Sequence, residues 1–384
     1  MTGYFVAPRI AWGAGAVEEL SGLGARRAFV LVDPEVARRD GHRRVLEELA
    51  KGDAVITTEV SAADPIGTPA VQALAGRVGA AAPDTIVAIG GGRVLDAAKA
   101  ARLAFEVPGL SVDALPPVLD LPTPPRSRLI AIPTTSGSGS DASWSADLFA
   151  PDGSPIEVAH RSLVPDWSIA DAEFARSLDP GLVLDGALET AALAAEAFLS
   201  AWSNPFSDAL AVDALTTVVR RLPHAVRWSD DPDARGALHY AATTAGLAAS
   251  NAQRGIAHAL GRALQPVTGL AYGRLVGILL PHALDFAHSS ARDRLEVLAA
   301  SVAPPEETTR LPLAARLRRL YEALRVPPSL VAAGASSEAL ASRRAEIVER
   351  TLRSPAVLAN PRVPSDREVG QLLDAASGLG GPER

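Results

Sequence analysis

Two glycine-rich loops constrain this chain more than any other feature of its sequence. Gly90-Gly91-Gly92 closes the apolar run Thr85–Gly90 and opens the helical pattern Leu95–Ala104. Thr134-Thr135-Ser136-Gly137-Ser138-Gly139-Ser140-Asp141 follows a second apolar run, Leu129–Pro133. A strand end, a glycine turn and a helix start in succession present free backbone N–H groups and the positive end of a helix dipole, and glycine lets a phosphate come close. One such loop can also be a tight turn with no ligand. Two polar glycine loops at neighbouring strand ends point to a nucleotide.

The elements around these loops form an alternating pattern. Ala28–Asp33 is a third strand-like run and Val71–Val78 has helical spacing, so the first part reads as β and α elements around a mostly parallel sheet. Ligands of such sheets sit at the C-terminal strand ends. From about Asp179 the chain becomes Ala- and Leu-rich with helical spacing and no convincing strand, as in Gly186–Ser200, Pro205–Leu222 and Ala237–Ala248. The expectation is an α/β nucleotide-binding domain over residues 1–180 and an all-α domain over 181–384; the resemblance described below makes these the dinucleotide-binding and catalytic domains. The proline-rich stretch Leu115–Arg126 reads as a surface excursion within the first domain, because a strand-like run follows it.

Composition removes several function classes. The 384 residues contain no cysteine, which excludes disulfides, thiolate metal sites and a cysteine nucleophile. A formal net charge of −7 with no basic block argues against a nucleic-acid or anionic-membrane surface and favours a small-molecule substrate. The apolar stretch Gly181–Trp202 carries Asp185, Glu189 and Glu196, which are costly in a bilayer, so it reads as a buried helix. Met1-Thr2-Gly3-Tyr4 opens no signal or transit peptide, so a cytoplasmic chain is expected. The wealth of alanine and arginine points to a GC-rich bacterial genome.

The two loops, in this order, resemble the GGGSxxDxAK and PTTxGTGSE signatures of the iron-containing (group III) alcohol dehydrogenase family. Arg9–Val17 resembles the family's FGxGA segment, Ala197–Ala211 its EAYxS…NPxxDAxA stretch, and Asn360-Pro361-Arg362 its late NPR. The resemblance covers essentially the whole chain. It implies the dehydroquinate synthase-like fold, with an N-terminal α/β dinucleotide domain, a C-terminal helical domain and an active site in the cleft between them, and at least a homodimer. It also implies that Gly90, Gly91 and Gly92 contact a cofactor pyrophosphate, with Asp96, Thr134, Thr135 and Ser138 lining the nucleotide site. Arg93 stands where the family has Ser, and its cation can face phosphate. Asp33, at the end of the first strand-like run, suits an adenosine ribose and favours NAD over NADP; the lesser alternative is a turn residue before Pro34.

In the family, Fe²⁺ or Zn²⁺ is held by an Asp and a His four residues apart and by two later His fourteen residues apart, and polarises the substrate oxygen. Matching these positions places Glu189, Leu193, His258 and Tyr272 at them. Two retained donors fall short of the usual three or four protein ligands, so the expectation is no tightly bound metal. A shifted alignment recruits Asp185, His282 or His288 instead. Asp141 stands for the family's Glu, and Arg254, Arg262 and Arg274 lie near the ligand positions, where they can bind an anionic substrate or simply occupy solvated helix faces.

Without a metal, a carbonyl oxygen needs another cation or a proton. Tyr272 and His258 are the candidate acids, with Glu189, Arg262 and Arg274 as the other candidate catalytic residues. Both Tyr272 and His258 can also be hydrogen-bonded core residues. The expected activity is metal-independent NAD(P)(H)-linked oxidation or reduction of a small polar or anionic carbonyl, imine or enone. The alternatives are a non-redox lyase or cyclase, or a cofactor-binding pseudoenzyme on the same fold.

Overall fold

The structure, a computed structural model, describes residues 4–61, 66–107, 109–111, 125–304 and 311–379. All but the last two residues of the proline-rich stretch Leu115–Arg126 lie outside that set. The chain forms two compact units, Met1–Asp179 with Arg235–Gly246, and Pro180–Ala234 with Leu247–Arg384.

The first unit is built on six parallel strands. In chain order they are β1 (Arg9–Trp12), β2 (Arg27–Val32), β3 (Val55–Val60), β4 (Thr85–Gly90), β5 (Arg128–Pro133) and, after an antiparallel hairpin of β6 (Ser145–Phe149) and β7 (Pro155–Ala159), β8 (Trp167–Ala170). Their spatial order is β1-β8-β5-β4-β2-β3. The helices here are α1 (Pro34–Ala37), α2 (Asp40–Lys51), α3 (Thr68–Ala81) and α4 (Gly92–Glu106).

The central strands are apolar at every position after their first residues, Arg27, Thr85 and Arg128, because both faces of the sheet are covered. Phe29, Leu31, Ile86, Ala88, Leu129 and Ala131 pack on α3, α4 and the hairpin. The alternate residues Val30, Val32, Val87, Ile89, Ile130 and Ile132 pack on α2 and on the turn carrying Val17 and Leu20. From β2 the chain moves to β3 on one side, then crosses to β4 and β5 on the other. The strand order therefore reverses between β2 and β4, and the crevice beyond their C-terminal ends is where open α/β sheets bind ligands. Asp33 and Gly90–Gly92 stand at those two ends, and the Asp33 N–H bonds the Ile89 carbonyl at 3.0 Å.

The second unit contains helices alone among its described residues: α5 (Pro180–Leu199), α6 (Pro205–Arg227), the ends of α7 (Pro232–Ala252), α8 (Ile256–Thr268), α9 (Tyr272–Ser301), α10 (Leu313–Ala323), α11 (Ser337–Ser342), α12 (Arg344–Arg353) and α13 (Asp366–Ser377). The middle of α7, which the sequence assigns to the helical half, belongs with the first unit. The alanine-rich α5 is buried among α6, α8 and α9. Glycine sets the spacing there: a Cβ on Gly273 would meet the Asp185 carbonyl, and one on Gly277 would lie 2.7 Å from Leu188 Cβ.

Gly273→Ala is expected to force α9 off α5 and destabilise the protein by about 1–3 kcal/mol. Gly76→Ala, in open space on α3, is expected to stabilise by up to about 1 kcal/mol. Urea unfolding of both variants checks the pair.

Candidate active site

At the end of β4, Gly91 caps α4 in an extended conformation (φ −73°, ψ −179°), and no side chain bonds the cap. Gly91 itself thus supplies no side-chain acceptor to the helix start, a geometry that suits an anion such as a pyrophosphate. The glycines also let the two loops touch. A Cβ on Gly92 would lie 2.6 Å from Ser138 Oγ, and one on Gly91 would lie 3.2 Å from Thr135 Oγ1. The Thr134 N–H bonds the Gly90 carbonyl at 3.0 Å. Gly90, Gly91, Gly92, Thr134, Thr135 and Ser138 therefore come together, with Arg93 on the first turn of α4. Asp33 caps α1 through an Oδ1 contact of 2.8 Å from the Glu35 N–H, so the turn role is filled and the carboxylate stands at the strand reversal as well.

Asp96 is placed differently from the expectation. It is buried, accepting the Ser140 hydroxyl and the Asp147 N–H, with Lys99 Nζ 3.6 Å away. Lys99 in turn donates to Ser140 Oγ, Ser143 Oγ and the Ser145 carbonyl, each at 2.9 Å. Burial pushes the Asp96 pKa up and the Lys99 pKa down. This buried network ties α4 to the second loop and the hairpin, and it commits the Asp96 carboxylate to protein partners.

The second loop is also held by α7. Asp141 Oδ2 accepts the hydroxyls of Ser168 at 2.6 Å and Thr243 at 2.8 Å. A Cβ on either Gly139 or Gly246 would strike the other's backbone. His239, which sequence reasoning missed, pairs Nδ1 with Ser136 Oγ at 3.1 Å, and its buried Nε2 has no partner. A lone histidine in an alanine-rich helix carries no local signal of a contact 103 residues away.

In the second unit, Glu189, Leu193 and Glu196 share one stripe of α5, spaced by four and three residues. Leu193 is buried and brings no donor atom. Glu196 accepts the N–H groups of Gly255 at 2.9 Å and Ala257 at 2.5 Å, and His258 Nδ1 at 2.5 Å. Asn360 Oδ1 takes the remaining N–H of that turn, on Ile256, at 3.0 Å. His258 Nε2 is buried without a hydrogen-bond partner. The Tyr272 hydroxyl donates to the His258 carbonyl at 3.2 Å, so its proton is directed at backbone. Buried Arg262 lies over the Tyr272 ring, 5.3 Å from its centre. Arg274, a candidate for a substrate anion or a solvated helix face, holds Asp185 at 2.5 Å. Burial of Asp185 pushes its pKa up.

The donor chemistry does not fit the metal site that the family resemblance implies. Among the described residues no group of three or more His, Asp or Glu side chains converges to hold an ion. His282 and His288 supply no such cluster either.

Burial depresses the His239 pKa to about 4 from its ordinary 6.5. The unfolded chain therefore binds this proton first as the pH falls, and stability carried by the neutral ring is full above pH 6.5 and lost on descending toward 4. Between pH 7 and 5 the wild type is expected to lose about 2 kcal/mol more than His239→Gln, as read from urea unfolding at the two pH values.

Comparison with known proteins places the chain. The family model for iron-containing alcohol dehydrogenase matches residues 7–172, and that for the C-terminal part of the Fe-containing alcohol dehydrogenase family matches residues 184–377. The chain is 30% identical over 380 residues to a protein named probable alcohol dehydrogenase EutG of Salmonella typhimurium, covering 97% of this chain and 94% of that one. It is 25% identical over 379 residues to the NADPH-dependent butanol dehydrogenase of Clostridium saccharobutylicum, covering 96% and 97%. Its structure is similar to that of an iron-containing alcohol dehydrogenase from Thermococcus thioreducens, with a TM-score of 0.88, 28% identity and coverage of 97% and 99%. Glycine loops, strand order and helical half thus agree with matches spanning nearly the whole chain: it belongs to the iron-containing alcohol dehydrogenase family.

Proposed function

We propose that the chain is an NAD(P)(H)-dependent oxidoreductase that interconverts a small polar or anionic carbonyl, imine or enone with its reduced form, without a tightly bound metal. The observation that carries this reading is His258, whose Nδ1 is committed to Glu196 while Nε2 is left without a partner. Unsatisfied buried nitrogens are rare and costly, about 1–3 kcal/mol each, and mark places where a ligand completes the bonding.

The first glycine loop and the α4 N-terminus hold the pyrophosphate, and Thr134, Thr135 and Ser138 flank it. Asp33 accepts a ribose hydroxyl and repels a 2′-phosphate, so NAD is preferred. A bound nicotinamide supplies the hydride. His258 Nε2, a lone pair in the neutral ring, takes the proton of a substrate alcohol or amine in the oxidative direction and returns it from the charged ring in the reductive direction, and Glu196 stabilises that charged ring. Arg262 supplies fixed positive charge where the family uses a metal, and its cation suits a polar or anionic substrate. Tyr272 orients the start of α9 and packs against Arg262, and Glu189 adds a carboxylate on the α5 stripe. Imines and enones need less Lewis-acid help than plain aldehydes, which favours them here.

The test follows absorbance at 340 nm with NADH or NADPH and a panel of short aldehydes, 2-oxo acids, cyclic imines and enones, after dialysis against chelator, with and without added Fe²⁺ or Zn²⁺. Turnover that ignores added metal and falls about 10²–10⁴-fold in His258→Gln is expected. One metal per chain by elemental analysis, with activity abolished by the chelator, would overturn metal independence. Tight NADH binding with no redox on any panel member would overturn the oxidoreductase reading.

A further inference from the structure

The turn between α7 and α8 is unusual in its backbone. Gln253 is buried at φ 78°, ψ 159°, a region almost reserved for glycine and costing about 1–3 kcal/mol for other residues. Its own side chain helps hold it there, Oε1 accepting the Arg254 N–H at 3.1 Å. Ser200 Oγ donates to the Ala252 carbonyl just before the turn. Gly255 follows, where a Cβ would lie 2.8 Å from Asn360 Oδ1 and 2.9 Å from Glu196 Oε1. Only a residue without a side chain lets both acceptors reach the start of α8. The strained turn, the glycine and the two acceptors all serve one outcome, the placement of the first turn of α8 against Glu196.

We propose that Glu196 is the positioning residue of His258, locking the imidazole in the tautomer that carries its proton on Nδ1 and keeps a lone pair on Nε2. The proposal rests on the reading of His258 as the proton-handling group. Its physical basis is that an ionised carboxylate can only accept. Glu196 Oε2 lies 2.5 Å from Nδ1, so the neutral ring must present N–H there and a lone pair at the other nitrogen. The carboxylate cannot turn away, because the same two oxygens satisfy the N–H groups of Gly255 and Ala257. Its side chain is 5% exposed, so no water competes strongly for it. A neutral Gln at the same place would keep one acceptor for the backbone yet offer the ring either an oxygen or an NH₂ group, and the tautomer would no longer be dictated.

The experiment uses the full chain, labelled with ¹⁵N-histidine, and reads the imidazole nitrogen shifts without cofactor; the signal missing in His258→Gln identifies residue 258. The wild type is expected to show protonated Nδ1 and unprotonated Nε2, Glu196→Asp to keep that pattern, and Glu196→Gln to mix or invert it. With the panel substrate that the wild type turns over fastest, Glu196→Gln is expected to lower kcat about 100-fold with KM within about twofold, and Glu196→Asp to recover most of it. A wild-type ring protonated on Nε2, or a Glu196→Gln variant whose shifts match the wild type, would overturn the proposal. If Glu196→Gln does not fold, the wild-type and Glu196→Asp spectra decide it. Full activity of His258→Gln beside a switched tautomer in Glu196→Gln would discard the catalytic reading of His258 and leave the positioning role standing.

Discussion

Close approach at glycine, by backbone or by a side chain, is the constraint on which both units of this protein depend. In the first unit, the loop after β5 reaches α7 only because Gly139 and Gly246 present no Cβ to each other, and it reaches the loop after β4 through Gly91 and Gly92. In the second, α9 lies against α5 at Gly273 and Gly277, and α8 begins at Gly255 within reach of two buried acceptors. Close-packed interiors do not absorb an added methyl by small adjustments. These contacts therefore act as fixed dimensions from which the positions of Ser136, His239 and His258 follow.

The central strands were legible in the sequence because burial on both faces leaves an unbroken apolar run, as in Thr85–Gly90 and Leu129–Pro133. Edge strand β3 was not, since Val55–Val60 is largely exposed and reads as neither alternating nor apolar. Short β1 and β8 have only four residues each to announce themselves. Helices in the second half stood out through length and alanine content, but not the partition of α7, which depends on hydrogen bonds to Ser136 and Asp141 about a hundred positions earlier.

The site divides along the same line. Glycine loops announce themselves locally, because the residues that shape them are consecutive. Roles decided by distant partners do not: Arg274 looks like a free cation until Asp185, 89 positions away, is placed beside it. Asp96 looks like a ligand-facing acid until Lys99 and the Ser140 hydroxyl are seen to enclose it. Leu193 is the opposite case, since a residue with no donor atom can be excluded from a metal shell on identity alone.

The allocation of residues 235–246 to the first unit has a consequence for how the chain is made. Every strand of the parallel sheet has been synthesised once β8 is complete, but the loop after β5 then lacks the helix that clasps it. The nascent sheet must wait for α5, α6 and most of α7 to be translated, several seconds at about 5–20 residues per second. During that interval Ser136 and Asp141 have solvent in place of His239 and Thr243. The loop after β5 is therefore clasped by a segment that arrives after the helical unit has begun to emerge, although every strand of its sheet precedes that unit in the chain.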